Sequence, residues 1–515
     1  MRVFTGIVLG VILFGGAGCI SPQQERAKVD PQFLLFKQER MAHLESAGPE
    51  VSVFVAGDIM LSRQVGQKMR QHGFDYPFRQ IRDYVKEVDI GFANLETPIT
   101  PGREIESGEM TFRADVESAQ ALRESGFTIV SLANNHTPNF GGKGLADTMR
   151  YLGDADILYV GAGLDETTAH KPVFIEDKGI RFAFLAYNDD DVVPGSYEAK
   201  KNHPGTAFMD LEKAAKSVQE AKAQADIVIV SMHAGNEYVS EPNESQVAFA
   251  HAVVDAGADT VIGHHPHVVQ TLEQYKGKYI FYSLGNFIFD QMWSQETREG
   301  LALQLFFTKD GFRRGALLPI QIDDFSQPKF MEDGKQIQRI IDRLKMTPEA
   351  FARFRVESPM VDLNHNAIPE AYAIQTGRFI LTEEERILWS TPETWWVDDV
   401  VFADSTNDGI IDINLTVWKA GNFGSSKPFW VDENDKTIKN HFFIFNVMED
   451  GQVRPVWQSS NLEAPNCTLA ITDYDGDGDN ELLSVEGSYG RRCEIEEGRL
   501  SVWEWNGWGF SLVQK

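Results

Sequence analysis

Cysteine is scarce in this chain: Cys19, Cys467 and Cys493 are the 3 present among 515 residues. Basic residues are short as well, 48 Lys and Arg against 76 Asp and Glu, for a formal net charge of −28. That balance excludes nucleic acid as a partner, because a phosphate backbone demands basic patches. It also excludes peripheral docking on anionic lipid, which repels an acidic surface. Beyond the N-terminus no run is apolar enough to cross a bilayer. What is present is an ordinary apolar fraction, 42%, enough for a large core on a length that suits two or three domains.

The N-terminus carries the one strongly apolar run. Arg2 gives a positive start, 7–14 (IVLGVILF) is apolar, and Gly15-Gly16-Ala17-Gly18 leads to Cys19. The run is too short for a good bilayer-spanning helix. It resembles a bacterial lipoprotein signal at 1–19, in which Cys19 becomes the first mature residue and carries the lipid. The alternatives are an ordinary secretory signal cleaved near the same place and an uncleaved anchor. Acyl chains contributing ~0.8 kcal/mol per buried methylene would make a stable membrane anchor. Ile20 and Ser21 follow without an aspartate, which favours the outer membrane if the cell has one. The expected location is therefore the extracytoplasmic cell envelope. Lipidation of Cys19 leaves Cys467 and Cys493, which outside the reducing cytosol are expected to pair; the alternative is two buried free thiols.

Continuous apolar segments at 51–56, 89–93, 127–133, 180–186, 226–232, 259–262 and 279–284 read as buried strands. Helical patterns at 62–71, 142–155, 211–225 and 246–256 separate them. Such alternation means an α/β layer fold, in which ligands gather at loops beyond the strand C-terminal ends. Later strands at 301–307 and 316–322 close this domain, followed by helices at 334–344 and 347–353. The expected organisation is a tether and lead-in helix at 20–50, with Phe33, Leu34, Leu35 and Phe36 sharing a face with Met41 and Leu44. A metal-site domain at 51–345 follows. Residues 346–396 show no clear period and are read as a connector. From 397 to 515 the texture turns to short strands and turns, a β-rich domain.

Five loop segments, each just after an apolar strand, supply side chains that hold divalent cations. They are Gly57-Asp58, Asn94-Leu95-Glu96, Asn134-Asn135-His136, the His233 loop and Gly263-His264-His265-Pro266-His267. Asp58, Glu96, Asn135, His233, His265 and His267 are the candidate metal ligands. Alternation along an extended His-Pro-His stretch would aim both rings to one side, with Pro266 stiffening it. His136 directly follows Asn135 and would sit near the metals without necessarily binding one. Glu237, Tyr238 and Asn286 are candidates for substrate contact, and His264 reads as a neighbour of the ligands or as exposed. Singly, each residue has a plainer reading as a turn, a cap or a hydrogen-bonded strand end. Their shared topological placement favours the metal.

The ordered segments GDIML, ANLETPIT, SLANNHTPNFG, HAGNEY, GHHPHVVQ and YSLGNFIFDQ resemble the CapA family of bacterial capsule-synthesis proteins. That family is associated with poly-γ-glutamate capsule and is similar to calcineurin-like metallophosphoesterases in fold. The resemblance implies a four-layer α/β/β/α sandwich with metals, Mn, Fe or Zn, at one edge. It matches Asp58 to the first metal aspartate, Glu96 to the bridging acid and Asn135 to the second-metal asparagine. His136 matches the adjacent catalytic histidine, His233 the next ligand, and His265 and His267 the terminal pair. One departure stands out: where phosphoesterases carry a histidine two residues after the first aspartate, this chain has Met60, a poor ligand for a hard ion.

In the C-terminal part, Asp473, Asp475, Asp477 and Glu481 follow an acidic pattern that can wrap Ca²⁺ in oxygen. It resembles the calcium loops of FG-GAP or integrin-type repeats. Asp404, Asp408 and Asp412 form a weaker copy in which Thr406 replaces a carboxylate.

These features lead to two readings. The first is an envelope-anchored, metal-dependent hydrolase or transferase acting on an anionic capsule or cell-wall polymer, alongside capsule-synthesis machinery. The second is a non-catalytic export or anchoring factor that uses the metal crevice for binding. A general metallophosphodiesterase is a third.

Overall fold

The computed structural model describes residues 31–514 apart from 47, 332–333, 348–349, 351–352, 357–361, 367, 385, 423–434 and 490–498. The expected signal at 1–19, the expected lipidation residue Cys19 and the expected disulfide partner Cys493 lie outside the described residues. Cys467 is disulfide-bonded.

The strand Val51–Ile59 is buried along its whole length, which is why it reads as an apolar run rather than an alternating one. Val51, Val53 and Val55 point to one side, Phe54 and Ala56 to the other. It lies in the middle of a sheet ordered Gln327–Phe330, Gly311–Asp323, Glu299–Thr308, Val51–Ile59, Ile90–Leu95, Ile129–Ser131, Leu158–Val160. A second sheet runs Leu272–Tyr275, Lys278–Phe281, Thr260–His264, Ile227–His233, Ile180–Asn188, Val173–Asp177. Val53, Val55, Phe92 and Ile129 of the first sheet meet Phe182, Phe184, Ile229 and Ile262 of the second, with Phe92 and Phe184 stacked at 5.6 Å.

Helices cover both outer faces. Val65 and Met69 of Arg63–His72, Leu122 of Ser118–Glu124 and Leu145 of Gly141–Asp154 pack on the first sheet. Val218 of Leu211–Lys222 and Phe249 of Glu244–Asp255 pack on the second. The result is the four-layer α/β/β/α arrangement. Within each sheet the central strands are parallel, so their C-terminal ends come to one rim. Asp58 pairs in register with Asn94, and His233 with both Asn188 and His264.

The stretch at 346–396 is not a plain connector. Phe354–Val356 adds to the first sheet, and Glu370–Gln375, Arg378–Glu383 and Arg386–Ser390 form a three-stranded antiparallel sheet. Its period was hidden because the first of these strands is mostly solvent-facing and the central strand buries only Phe379 and Leu381. Those two join Leu363, Val397, Val400, Leu415 and Phe443 in a separate core. Two four-stranded antiparallel sheets follow, beginning at Trp395–Ala403 and Asn466–Thr472. The lead-in helix Pro31–Ser46 sets Phe33, Phe36 and Met41 against Trp396 and Trp418 of this β region. Leu34 and Leu35, expected on the same face, are exposed instead, since a helical turn carries them off the stripe set by Phe33 and Phe36. Among the described residues no helix is long and apolar enough to cross a membrane.

Candidate metal centre

Asp58 is the penultimate residue of the first strand, after a bulge in its pairing with Ile90–Leu95. The preceding Gly57 permits that path: a Cβ there would meet the Gly285 carbonyl oxygen at 2.1 Å. The Asp58 carboxylate is held on several sides. Asn94 Nδ2 donates to Oδ1 at 2.8 Å and the His265 backbone N–H donates to Oδ2 at 3.1 Å. His264 Nδ1 lies 3.4 Å from Oδ1, and His267 Nδ1 3.6 Å from Oδ2. Burial alone would raise the Asp58 pKa, but the adjacent His264 ring, aided by His233 and His267, holds it well below the usual range.

Glu96 follows the strand Ile90–Leu95 and is fully buried. Neither of its carboxylate oxygens has a hydrogen-bond partner among the described residues. Burial first, then the negative charges of Asp58 and Glu237, push its pKa well up. A buried carboxylate without a donor is costly to keep charged, and a bound cation is the natural compensation. One ligand atom each from Asp58, Glu96 and His233 lie within 4.8 Å of one another, as do one each from Glu237, His265 and His267. This donor set of carboxylate oxygen and imidazole nitrogen fits Mn, Fe or Zn.

The histidines are prepared as neutral donors. Burial lowers His265 and His267 to about 4 and His233 well below its ordinary value. Asn286 Nδ2 donates to Gln291 Oε1 at 3.0 Å and to the Thr297 carbonyl at 2.9 Å, so its Oδ1 is left to accept His267 Nδ1–H at 3.0 Å. That assignment leaves His267 Nε2 as the free lone pair. Asn135 Oδ1 is 3.1 Å from His233 Nε2. The Asn135-His136 loop is itself held by Asn134. Its Nδ2 donates to Asn94 Oδ1 and to the Leu95 carbonyl, and its Oδ1 accepts the His136 and Thr137 backbone N–H groups.

His136 stacks on Phe112 with ring centroids 3.7 Å apart. Asn139 Oδ1 accepts the Phe112 N–H at 2.8 Å and faces His136 Nδ1 at 3.0 Å, so Nδ1 carries the proton. Nε2 points towards Glu96, 3.8 Å from Oε1. Burial lowers the His136 pKa to about 3, so the ring is a neutral base.

The structure thus brings Asp58, Glu96, Asn135, His136, His233, His265 and His267 to one rim. Several expectations change. The His265-Pro266-His267 stretch is not extended: both histidines adopt left-handed backbone, φ 99° and 59°, because the loop must turn both rings inward around Asp58. Asn286 does not line a substrate surface; it is buried and orients His267. Glu237 groups with two histidines. Tyr238 does lie at the rim, half exposed, its ring 6.1 Å from His267 and 6.0 Å from Trp293. His264 is fully buried beside Asp58. Met60 is buried in the core and its Sδ accepts the Ser62 N–H. The sequence reading missed Asn94, Asn134, Asn139 and Gln291. It also missed Arg63, which pairs with Asp290 and lies over Phe112. Asn94 and Asn134 each precede a candidate ligand by one or two positions at a strand end, which was the available signal.

In the β region, Asp473, Asp475 and Glu481 bring ligand oxygens within 4.8 Å of one another. Asp473 accepts the Gly476 and Gly478 N–H groups at 2.7 and 3.0 Å. Glu481 accepts the Tyr474 N–H through Oε2, while its buried Oε1 is unpartnered among the described residues. Asp477 stays outside this group, its Oδ1 accepting the Asp479 N–H. The copy at Asp404, Asp408 and Asp412 forms no such group among the described residues. There Asp404 accepts the Asp408 and Gly409 N–H groups, Asp408 that of Ile410, and Asp412 Oδ2 binds Ser405.

Residues 52–291 match the family model described as bacterial capsule synthesis protein PGA_cap. The chain is similar to the capsule biosynthesis protein CapA of Bacillus anthracis, 34% identical over 331 residues that cover 62% of this chain and 80% of that one. It is also similar to the PGA biosynthesis protein CapA of Bacillus subtilis strain 168, 34% identical over 321 residues, 61% of this chain and 83% of that one. A solved calcineurin-like phosphoesterase, YfkN from Bacillus subtilis, aligns over 54% of this chain and 87% of its own at 14% identity and a TM-score of 0.33.

Proposed function

Because the chain belongs to the PGA_cap family of bacterial capsule synthesis proteins, we propose that it is a metal-dependent hydrolase or transferase acting on an anionic capsule or cell-wall polymer of the poly-γ-glutamate class. The observation that carries this reading is Glu96, a fully buried carboxylate with neither oxygen partnered among the described residues, facing Asp58, His233 and the neutral His136. Asp58, Glu96, Asn135, His233, His265 and His267 would hold divalent cations. Bound there, such cations supply Lewis-acid polarisation of a carbonyl or phosphoryl oxygen and a nucleophile at neutral pH. His136 keeps its proton on Nδ1 through Asn139 and presents Nε2 to the crevice, where it would take a proton from the attacking water or acceptor hydroxyl and return that proton to the departing group. Phe112 fixes the ring plane by stacking.

The protein works at the cell envelope, anchored through lipid on Cys19 and alongside polymer-synthesis machinery. Asp473, Asp475 and Glu481 would hold Ca²⁺ in the acidic turn, a reading supported by the buried, unpartnered Glu481 Oε1 among the described residues. Bound cations also answer how a polyanion approaches a chain of net charge −28.

The test is turnover of purified, Mn²⁺- or Zn²⁺-loaded protein on γ-glutamyl polymer and on phosphodiesters. Polymer cleavage or transfer is expected, lowered roughly 10²- to 10⁴-fold by His136→Ala with metal content unchanged. A second reading is favoured by Met60, buried in the core where the resembling phosphoesterases carry a histidine: a factor that binds polymer without turning it over. Equal polymer binding and no turnover in both proteins would select it. Turnover confined to phosphodiesters would select a general metallophosphodiesterase.

A further inference from the structure

We propose that Glu237 is a metal ligand, forming with His265 and His267 a second cation site beside Asp58, Glu96 and His233. The inference rests on the metal-centre reading above and names a residue that reading leaves out.

Met60 cannot serve. Its side chain is fully buried among the apolar residues behind the first sheet, and its sulfur already accepts the Ser62 N–H at 3.1 Å. Glu237 approaches from the opposite sheet. One of its carboxylate oxygens lies within 4.8 Å of ligand nitrogens on both His265 and His267. The two histidines are each more than nine-tenths buried, and His265 Nδ1 has no hydrogen-bond partner among the described residues. His267 has its Nδ1–H committed to Asn286, so Nε2 is the nitrogen it offers.

The loop that carries Glu237 is built to hold it there. The Ala234 N–H donates to the His264 carbonyl at 3.1 Å, and the Tyr238 N–H donates to the Pro266 carbonyl at 2.8 Å. These two bonds fasten residues 234–238 to the histidine loop at both ends. Between them the chain turns at Gly235, φ 109°, where a Cβ would come within 2.5 Å of the Gln246 side chain. The turn thus requires glycine both for its backbone angle and for the space Gln246 fills. Tyr238 follows at φ 65°, a left-handed conformation uncommon for such a side chain. Glu237 is exposed at the crevice mouth; a solvent-facing carboxylate needs no such bracing unless its position matters. A donor set of one carboxylate and two imidazoles is the composition seen in sites for Zn²⁺ and related ions.

The experiment is equilibrium dialysis of the metal-stripped full chain against Mn²⁺, with Ca²⁺ in excess to occupy the acidic turn, read by elemental analysis. The wild type is expected to retain two Mn²⁺ per chain. Glu237→Gln is expected to retain one, with the second bound at least tenfold more weakly and the metal-free melting temperature unchanged. Two ions at unchanged affinity in the variant would overturn the assignment while leaving the metal centre standing. One ion in both proteins at equal affinity would do the same. No retained ion in the wild type would overturn the metal centre and the assignment together.

Discussion

A charged carboxylate deprived of both water and hydrogen-bond donors costs several kcal/mol to maintain, and Glu96 is in that position until a cation arrives. Its folded-state pKa is raised, above all by burial, so the native protein holds this proton more tightly than the unfolded chain does. Metal-free stability should therefore fall as pH rises from the ordinary glutamate range through the raised folded value. Glu96→Gln removes that loss. The variant is expected to melt higher than the wild type at pH 8 without metal and to gain less than the wild type when Mn²⁺ is added. Equal melting responses to Mn²⁺ in both would show that Glu96 is not a ligand. Asn286 acts one shell further out. Replacing it with alanine frees the Nδ1–H of His267 from its acceptor, and metal affinity should drop about 10- to 100-fold with the fold retained, as measured by titration calorimetry.

At the scale of elements, the centre depends on how closely two parallel strand ends can approach. Gly57→Ala would drive a methyl group into the Gly285 carbonyl, which now lies 2.1 Å from the ideal Cβ position. Relief requires moving Asp58 or the Asn286–Ile288 strand paired to it. A loss of about 1–3 kcal/mol is expected in chemical denaturation, together with weakened metal retention. This also explains what could be read in advance. Asp58, Glu96, His233 and His265 announce themselves because each follows an uninterrupted apolar strand, and strand ends in parallel sheets share a rim. The work of Asn94, Asn134 and Asn286 did not, because an amide's partners lie across the fold: Asn94 reaches Asp58, Asn134 reaches Leu95, and Asn286 reaches His267. Glu237 looked like a substrate contact because its proximity to His265 depends on the Tyr238–Pro266 backbone bond. The sheet at Glu370–Ser390 was illegible for a different reason. Of its apolar residues only Phe379 and Leu381 are fully buried, and they share a core with strands that follow.

Across the whole molecule, the two regions are joined rather than strung together. Ala470, Leu483 and Val502 of the last sheet enter the same core as Ile340 and Leu344 of the helix Gly334–Leu344. Gln338 on that helix accepts the Thr472 hydroxyl at 2.9 Å and donates to the Asp473 carbonyl at 3.3 Å. The two acidic turns are tied as well, Asn407 and Asn480 exchanging hydrogen bonds at 3.2 and 2.7 Å. Ca²⁺ at Asp473, Asp475 and Glu481 should accordingly raise the melting temperature of the full chain. Glu481 is pushed up to about 7, by burial first and then by the neighbouring aspartates. Protons therefore compete with the ion below that value, and apparent Ca²⁺ affinity should fall as pH drops from 8 towards 6. An affinity flat across that range would remove Glu481 from the site.

The most direct measurement of the central claim is a crystal structure of the full chain soaked in Mn²⁺, with anomalous scattering recorded at the manganese edge. An anomalous peak is expected at the rim, about 2.0–2.3 Å from Glu96 and from an imidazole nitrogen of His233 or His267. A rim without anomalous density at saturating Mn²⁺, with Glu96 instead turned to a protein or water donor, would contradict it.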